Sequence, residues 1–132
     1  MHKGYLKTAA LLGALSVLLG AFAAHGLRKM VEEHTVAIFE TGVRYQFYHV
    51  FALAMVAILY KDISNQLIVR AGLFFIIGIF FFSGSLYLLT IKVAMGISGL
   101  NWLGPITPIG GLFFIVGWLC LFMGIGGKLA AK

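Results

Sequence analysis

Apolar positions in this chain gather into four long runs, at about Tyr5–Gly26, Thr41–Tyr60, Val69–Ile91 and Pro108–Gly127, separated by short stretches that hold most of the charge. Each run approaches the ~20 residues that an α-helix needs to cross the ~30 Å hydrocarbon core of a bilayer. The pattern predicts an all-α polytopic membrane protein: an up-down bundle of four transmembrane helices forming a single domain over residues 1–132, because short connections make neighbours antiparallel. The first run has a rival reading, since Lys3 and Lys7 ahead of an apolar segment and "AFA" at 21–23 resemble a signal peptide. The run is long enough to span, and cleavage would leave three spans with a ragged start, so a retained helix is expected.

Small residues recur inside two runs at helical spacing. Ala9, Gly13, Ser16, Gly20 and Ala24 form one stripe on the first span, and Gly110, Gly117 and Gly124 another on the last. In lipid, where apolar attraction no longer drives association, such stripes let backbones approach closely. Gly72, Gly78 and Gly84 drift around the third helix and predict less. In "GPITPIGG" Thr107 is expected to cap the fourth helix with Pro108 at its first position, where a missing N–H costs nothing. Trp102 suits an aromatic belt, and Trp118, in mid-span, either has a partner for its indole N–H or faces a packed helix.

Composition sharpens this picture. Of 132 residues, 61% are hydrophobic and 11% charged, against about 25% charged in a soluble domain. The formal charge of +6 arises from basic residues scattered at the ends of apolar runs, a distribution that fits lipid head groups and topology rather than nucleic acid. Lys3, Lys7, Lys61, Arg70, Lys128 and Lys132 fall on one side and Arg28, Lys29 and Lys92 on the other, which predicts that both termini are cytoplasmic. Cys120 is alone, so neither an intrachain disulfide nor a cysteine metal motif is available.

The second run is the unusual one. It begins "FETGVRYQFYH" at 39–49, and only eleven residues separate His49 from Lys61, about 17 Å of helix, barely half of the hydrocarbon core. To cross, the helix must use its polar front, which places His49 inside the membrane and Arg44 near its outer boundary. At ~100° per residue, with Glu40 at zero, Arg44 falls near 40°, Tyr48 near 80°, Tyr45 near 140°, His49 near 180° and Gln46 near 240°. Polar groups thus cover about two thirds of the circumference, so the section needs protein, a water-filled recess or head groups around it. Glu40 and Arg44 are spaced for a helical ion pair. At similar depth the third run offers "FFSGSLY", where Ser83 and Tyr87 share a face and Gly84 leaves room for a neighbour. The expected polar cluster is therefore His25, Glu40, Arg44, Tyr45, Gln46, Tyr48, His49, Ser83, Ser85 and Tyr87, with Asn101 and Thr107 as further members. The segment "RKMVEEHTVAIF" admits two readings. Either it is an interfacial helix dipping Met30, Val31, Ile38 and Phe39, or it is an ordinary loop with the second helix starting early, at Thr35.

"GAFAAHGL" at 20–27, "FETGVRYQFYH" at 39–49, "FSGSLY" at 82–87 and "GPITPIGG" at 104–111 resemble, in order and spacing, the family called domain of unknown function 423. What the resemblance implies is a small bacterial inner-membrane protein of four helices, with a eukaryotic relative called transmembrane protein 256. It implies no activity, because the family is named for lacking one. The stretch "IKVAMGISGLN" is longer than the family pattern leads one to expect, which leaves the third loop open.

Three functional classes fit. One is a structural or accessory subunit in which paired polar groups fix helix register, in a homo-oligomer or a larger membrane complex surrounded by lipid. Another is binding or transport of a small anionic, lipid or quinone-like ligand, with Arg44 holding an anion, His25 or His49 exchanging protons, and Tyr45 and Tyr48 lining the site. The third is a haem or redox site bracketed by His25 and His49; two histidines without carboxylate or thiol company carry little weight, and no cofactor or metal is implied. No catalytic residue is assigned, since Ser83 and Ser85 lie in a helix where hydroxyls bond the preceding turn's carbonyls. His2 and His34 receive no role.

Overall fold

The structure, a computed structural model, describes residues 1–127, so Lys128 and Lys132 of the last flank lie outside the described residues. Its helices are α1 (Lys3–Ala24), α2 (Glu33–Leu59), α3 (Gln66–Gly78), α4 (Gly84–Ala94) and α5 (Leu103–Ile125), with no strand among the described residues. A π turn over Ile79–Ser83 joins α3 to α4 without a break, making one continuous third span, Gln66–Ala94. Four helical spans are thus long and apolar enough to cross a membrane, and the chain is an all-α, up-and-down membrane bundle.

The helix ends have local causes. His2 Nδ1 accepts the Tyr5 N–H at 3.1 Å while its own N–H donates to the Ala57 carbonyl at 2.8 Å, so this residue both caps α1 and ties it to the end of α2. Asn65 Oδ1 accepts from the N–H groups of Leu67 and Ile68, starting α3 three residues before the apolar run, and its Nδ2 donates to the Gly124 carbonyl. After Ala94 the chain closes as a Schellman turn: Gly96, at φ +64°, donates to the Val93 carbonyl, and Ile97 to that of Lys92. This is what becomes of the long third loop. The segment after the first span holds a 3₁₀ turn at Leu27–Lys29, and α2 begins at Glu33; the early-start reading therefore describes it, with no separate interfacial helix.

The start of the fourth span corrects an expectation. Leu103, buried at 1% exposure, opens the helix. Pro105 then occupies the first turn, where no intrahelical N–H is required, and Pro108 lies inside the helix. Thr107 is not a cap; its hydroxyl meets Ser85 instead.

The second and third spans form the centre. The first span packs on the second along the expected stripe: Ala9 and Ser16 are buried, and a Cβ at Gly13 or Gly20 would meet Val50 or Val43. Ala24, by contrast, faces outward, and Ala23 takes the buried place. The fourth span lies on the third through Gly110, Gly117 and Gly124, whose added Cβ atoms would strike Phe82, Phe75 and Ile68. Glycines that looked irregular turn out to be tight, Gly72 against Tyr5 and Gly78 against Phe114, whereas Gly84, expected to receive a neighbour, has nothing within 4 Å. Their six-residue spacing turns each one to a different side, Gly72 to the first span and Gly78 to the fourth, while Gly84 follows the π turn and looks outward.

Gly110→Ala and Gly84→Ala test this packing with one chemical change in two surroundings. A methyl at 110 collides with the backbone of Phe82 and should destabilise by about 1–3 kcal/mol. At 84 it meets open space and should leave stability unchanged or raise it by up to ~1 kcal/mol. Thermal unfolding of both variants in the same detergent should therefore give melting shifts of opposite sign, or one shift and no change.

Candidate functional site

Gln46 is a fully enclosed amide, at 1% exposure. Its Nε2 donates to the Leu12 carbonyl of the first span at 3.0 Å, and its Oε1 accepts from Tyr87 Oη of the third span at 2.7 Å. One side chain thus joins three spans. An amide buried without partners in an apolar medium costs about 2–7 kcal/mol, so these two bonds decide whether Gln46 can sit there. Tyr87 reaches it by passing over Gly42, where a Cβ would meet its ring at 2.8 Å. Beside this bridge, Ser83 Oγ donates to the Gly42 carbonyl at 2.6 Å, linking the third span to the second. Ser85 Oγ shares a hydrogen bond with Thr107 Oγ1 at 2.6 Å, linking the third to the fourth.

His49 is the second knot. It lies ten residues from Leu59, about 15 Å along the helix and so near the middle of a ~30 Å core. Its Nδ1 is 2.7 Å from the Tyr45 carbonyl, and its Nε2 is 3.1 Å from Trp118 Nε1. A carbonyl only accepts and an indole N–H only donates, so the two contacts together require the neutral ring with its proton on Nδ1. The ring also stacks on Phe114 with centroids 3.5 Å apart and planes 6° from parallel. Both nitrogens are committed, and a proton or metal ion at Nε2 would displace Trp118. The indole N–H of the mid-span tryptophan therefore has a partner inside the protein.

The rest of the expected cluster does not join these residues. His25, Arg44 and Tyr48 face outward, Tyr48 at 53% exposure, and Asn101 is exposed in the loop; Tyr45 is partly exposed, with its ring against Phe82 and its carbonyl on His49. Glu40 pairs with Arg28 at 3.7 Å rather than with Arg44; the Arg28 turn brings its guanidinium over the start of α2, whereas Arg44 extends from an outward face. His25 and His49 are not brought together. Gly13 packs at Val50 and Gly20 at Val43, which sets His25 opposite roughly residue 38, about 16 Å along the axis from His49. Among the described residues no three His, Cys, Asp or Glu side chains group as metal ligands.

Two faces of one helix account for this division. Gln46, His49, Gly42 and Leu53 look toward the third span, whereas Arg44, Tyr48, Phe51 and Met55 look away from the bundle. The polar circumference is real, but only its inner half is covered by protein. Next to the outer half, a groove of about 550 Å³ opens between the second and fourth spans, with Tyr45, Tyr48, Phe114, Ile115 and Trp118 along its walls. Sequence reasoning missed its fourth-span wall because phenylalanines and a tryptophan in an apolar run carry no local mark of facing a gap. It also missed His2 and Asn65, whose capping roles become visible only once helix boundaries are fixed.

The comparisons with known proteins agree with the spans. The profile described as "Protein of unknown function (DUF423)" matches residues 19–111, which include the Gln46 and His49 segment. A UPF0382 membrane protein of Staphylococcus aureus (strain bovine RF122 / ET3-1) is 38% identical over 122 residues, covering 89% of this chain and 94% of the relative. One from Haemophilus influenzae is 38% identical over 125 residues, covering 94% of each. The UPF0382 membrane protein YwdK of Bacillus subtilis is 37% identical over 121 residues, covering 88% and 94%. No solved structure matches. The chain belongs to the DUF423 family of UPF0382 membrane proteins.

Proposed function

We propose that this chain is a non-enzymatic structural or accessory subunit of the bacterial inner membrane, working in a homo-oligomer or a larger membrane assembly. The observation that carries this reading is the completeness of the buried hydrogen bonding: among the described residues no buried side-chain nitrogen or oxygen lacks a partner. Gln46 and His49 use both of their polar ends to hold helices, which leaves neither free as acid, base or ligand. Ser83 gives its proton to a carbonyl and Ser85 bonds Phe82 and Thr107, so no hydroxyl stands beside a base. Helical spans, as opposed to a closed barrel, favour an inner over an outer membrane. The basic flanks favour cytoplasmic termini.

A ligand-binding role has one observation in its favour, the aromatic groove, whose two tyrosines face out of the bundle. In this second reading the ligand is lipid- or quinone-like. His49 also lines the groove, with both of its ring nitrogens already bonded within the protein.

Native mass spectrometry of protein taken into lipid nanodiscs tests the subunit reading: a defined homo-oligomer or a copurifying subunit is expected, and a lone monomer would count against it. The Gln46 bridge is tested by a double-mutant cycle. Gln46→Leu and Tyr87→Phe should each destabilise, and the double variant by less than the sum, with a coupling of about 0.6–1.7 kcal/mol. Orientation is open to cysteine labelling in whole cells, because Cys120 is buried. Ser98→Cys should react with an impermeant maleimide and Ser64→Cys should not; the reverse result would invert the topology.

A further inference from the structure

We propose that the groove between the second and fourth spans holds an acyl chain of a phosphate-bearing diacyl lipid, with Arg44 on its phosphate, Tyr45 on an ester carbonyl and Tyr48 along the chain. This deepens the ligand reading and rests on it.

The polar groups at the groove's edge lack partners within the protein. Among the described residues Arg44 forms no salt bridge, and the hydroxyls of Tyr45 and Tyr48 hold no hydrogen bond. In the hydrocarbon region no water replaces a missing partner, so an outward hydroxyl or guanidinium must find one in lipid or reach the interface. Depth identifies which. Measured from Leu59, Arg44 lies about 22 Å up the helix, Tyr45 about 21 Å and Tyr48 about 16 Å. Side chains lean toward the helix N-terminus, which here is the opposite membrane face, so the Arg44 guanidinium reaches the boundary of a ~30 Å core and the Tyr45 phenol reaches just beneath it, while Tyr48 stays deeper, along the groove. Arg44 and Tyr48 are four residues apart on one face, and the rings of Tyr45 and Tyr48 are 5.7 Å apart.

The order from the boundary inward is cation, the Tyr45 hydroxyl, aromatic groove. A diacyl lipid presents the complementary order: phosphate, ester carbonyls, chain. A free anion would leave the groove empty, and a quinone would leave Arg44 without its counter-charge. The fourth span supplies the room at Gly111, where an added Cβ would meet only the Phe82 side chain, at 3.9 Å. Trp118 lines the lower part of the groove.

Trp118 also provides the readout. The chain has two tryptophans, so Trp102→Phe leaves Trp118 as the sole emitter. This variant, in detergent, is titrated with phosphatidylglycerol carrying brominated acyl chains. Saturable quenching is expected. Adding Arg44→Gln should raise the midpoint about tenfold, and adding Gly111→Leu, which fills the groove, should abolish saturation. Brominated diacylglycerol, lacking phosphate, should bind the parent no better than the phospholipid binds the Arg44→Gln form. Circular dichroism checks folding; should Gly111→Leu fail to fold, Tyr45→Phe replaces it with an expected severalfold weakening. Equal midpoints with and without Arg44, or equal binding of both brominated probes, overturn the phospholipid assignment. A short-chain ubiquinone, itself a tryptophan quencher, separates the two failures: saturable quenching by it preserves the ligand reading alone, and non-saturating quenching by every probe rejects both.

Discussion

A hydrogen-bonding group inside a bilayer has no water to fall back on, and the arrangement of this molecule follows from how its second helix meets that condition. The helix needs about 20 residues to cross, yet its wholly apolar part, from Val50 to Tyr60, supplies only half the distance. Glutamine and histidine are therefore carried below the surface. Each is matched by a group from another span: the Leu12 carbonyl and Tyr87 for Gln46, Trp118 for His49. The measured worth of a single interhelical bond in a membrane is small, about 0.6 kcal/mol on average. Breaking one partner away exposes the larger desolvation cost of the group left behind. The pairs act less as glue than as a penalty on every other register.

Close approach and wide separation are both built into the same bundle. The fourth span lies on the third through three glycines, each opposite a bulky residue or its backbone. The π turn at Ile79–Ser83 sits at the tightest of these contacts and turns Ser83 toward the second span while Phe82 faces the fourth. Between the second and fourth spans, by contrast, a stack of aromatic rings fills the space: His49 on Phe114, Phe114 near Phe82, and Trp118 against Phe75. Flat rings hold those two helices at a distance, and the groove is what the rings leave open.

Much of this was legible in the sequence. Run length gave the four spans, helical spacing gave the stripes on the first and last, and the short apolar tail of the second helix placed His49 at depth. That Trp118 has either a partner or a packed helix beside it was readable from its position, although which of the two was not. What could not be read was direction. Ten polar residues were assigned to one cluster, but periodicity fixes only relative angles around a helix, and the side that faces protein depends on where the neighbours stand. Glu40 illustrates the point, since sequence spacing offered Arg44 and the chain reversal brought Arg28 instead. The glycines of the third span show the same limit: at six-residue spacing Gly72 and Gly78 face two different neighbours, a contact that a search for one stripe does not find.

The two faces of the second helix also remove its rotational freedom. A turn of one residue, ~100°, would swing Gln46 out toward lipid and break its bonds to Leu12 and Tyr87 together with the Ser83 bond to Gly42. An apolar helix in the same place would have many settings of nearly equal energy, because lipid and a packed neighbour are similar surroundings for leucine. Polarity on both sides selects one. The inner side chooses the partner helices and the outer side chooses the depth, since Arg44 and the tyrosines keep one end of the helix at the interface. Fixed in both angle and height, the second helix can serve as a reference for the others, whose own sequences, rich in glycine, phenylalanine and leucine, say little about either.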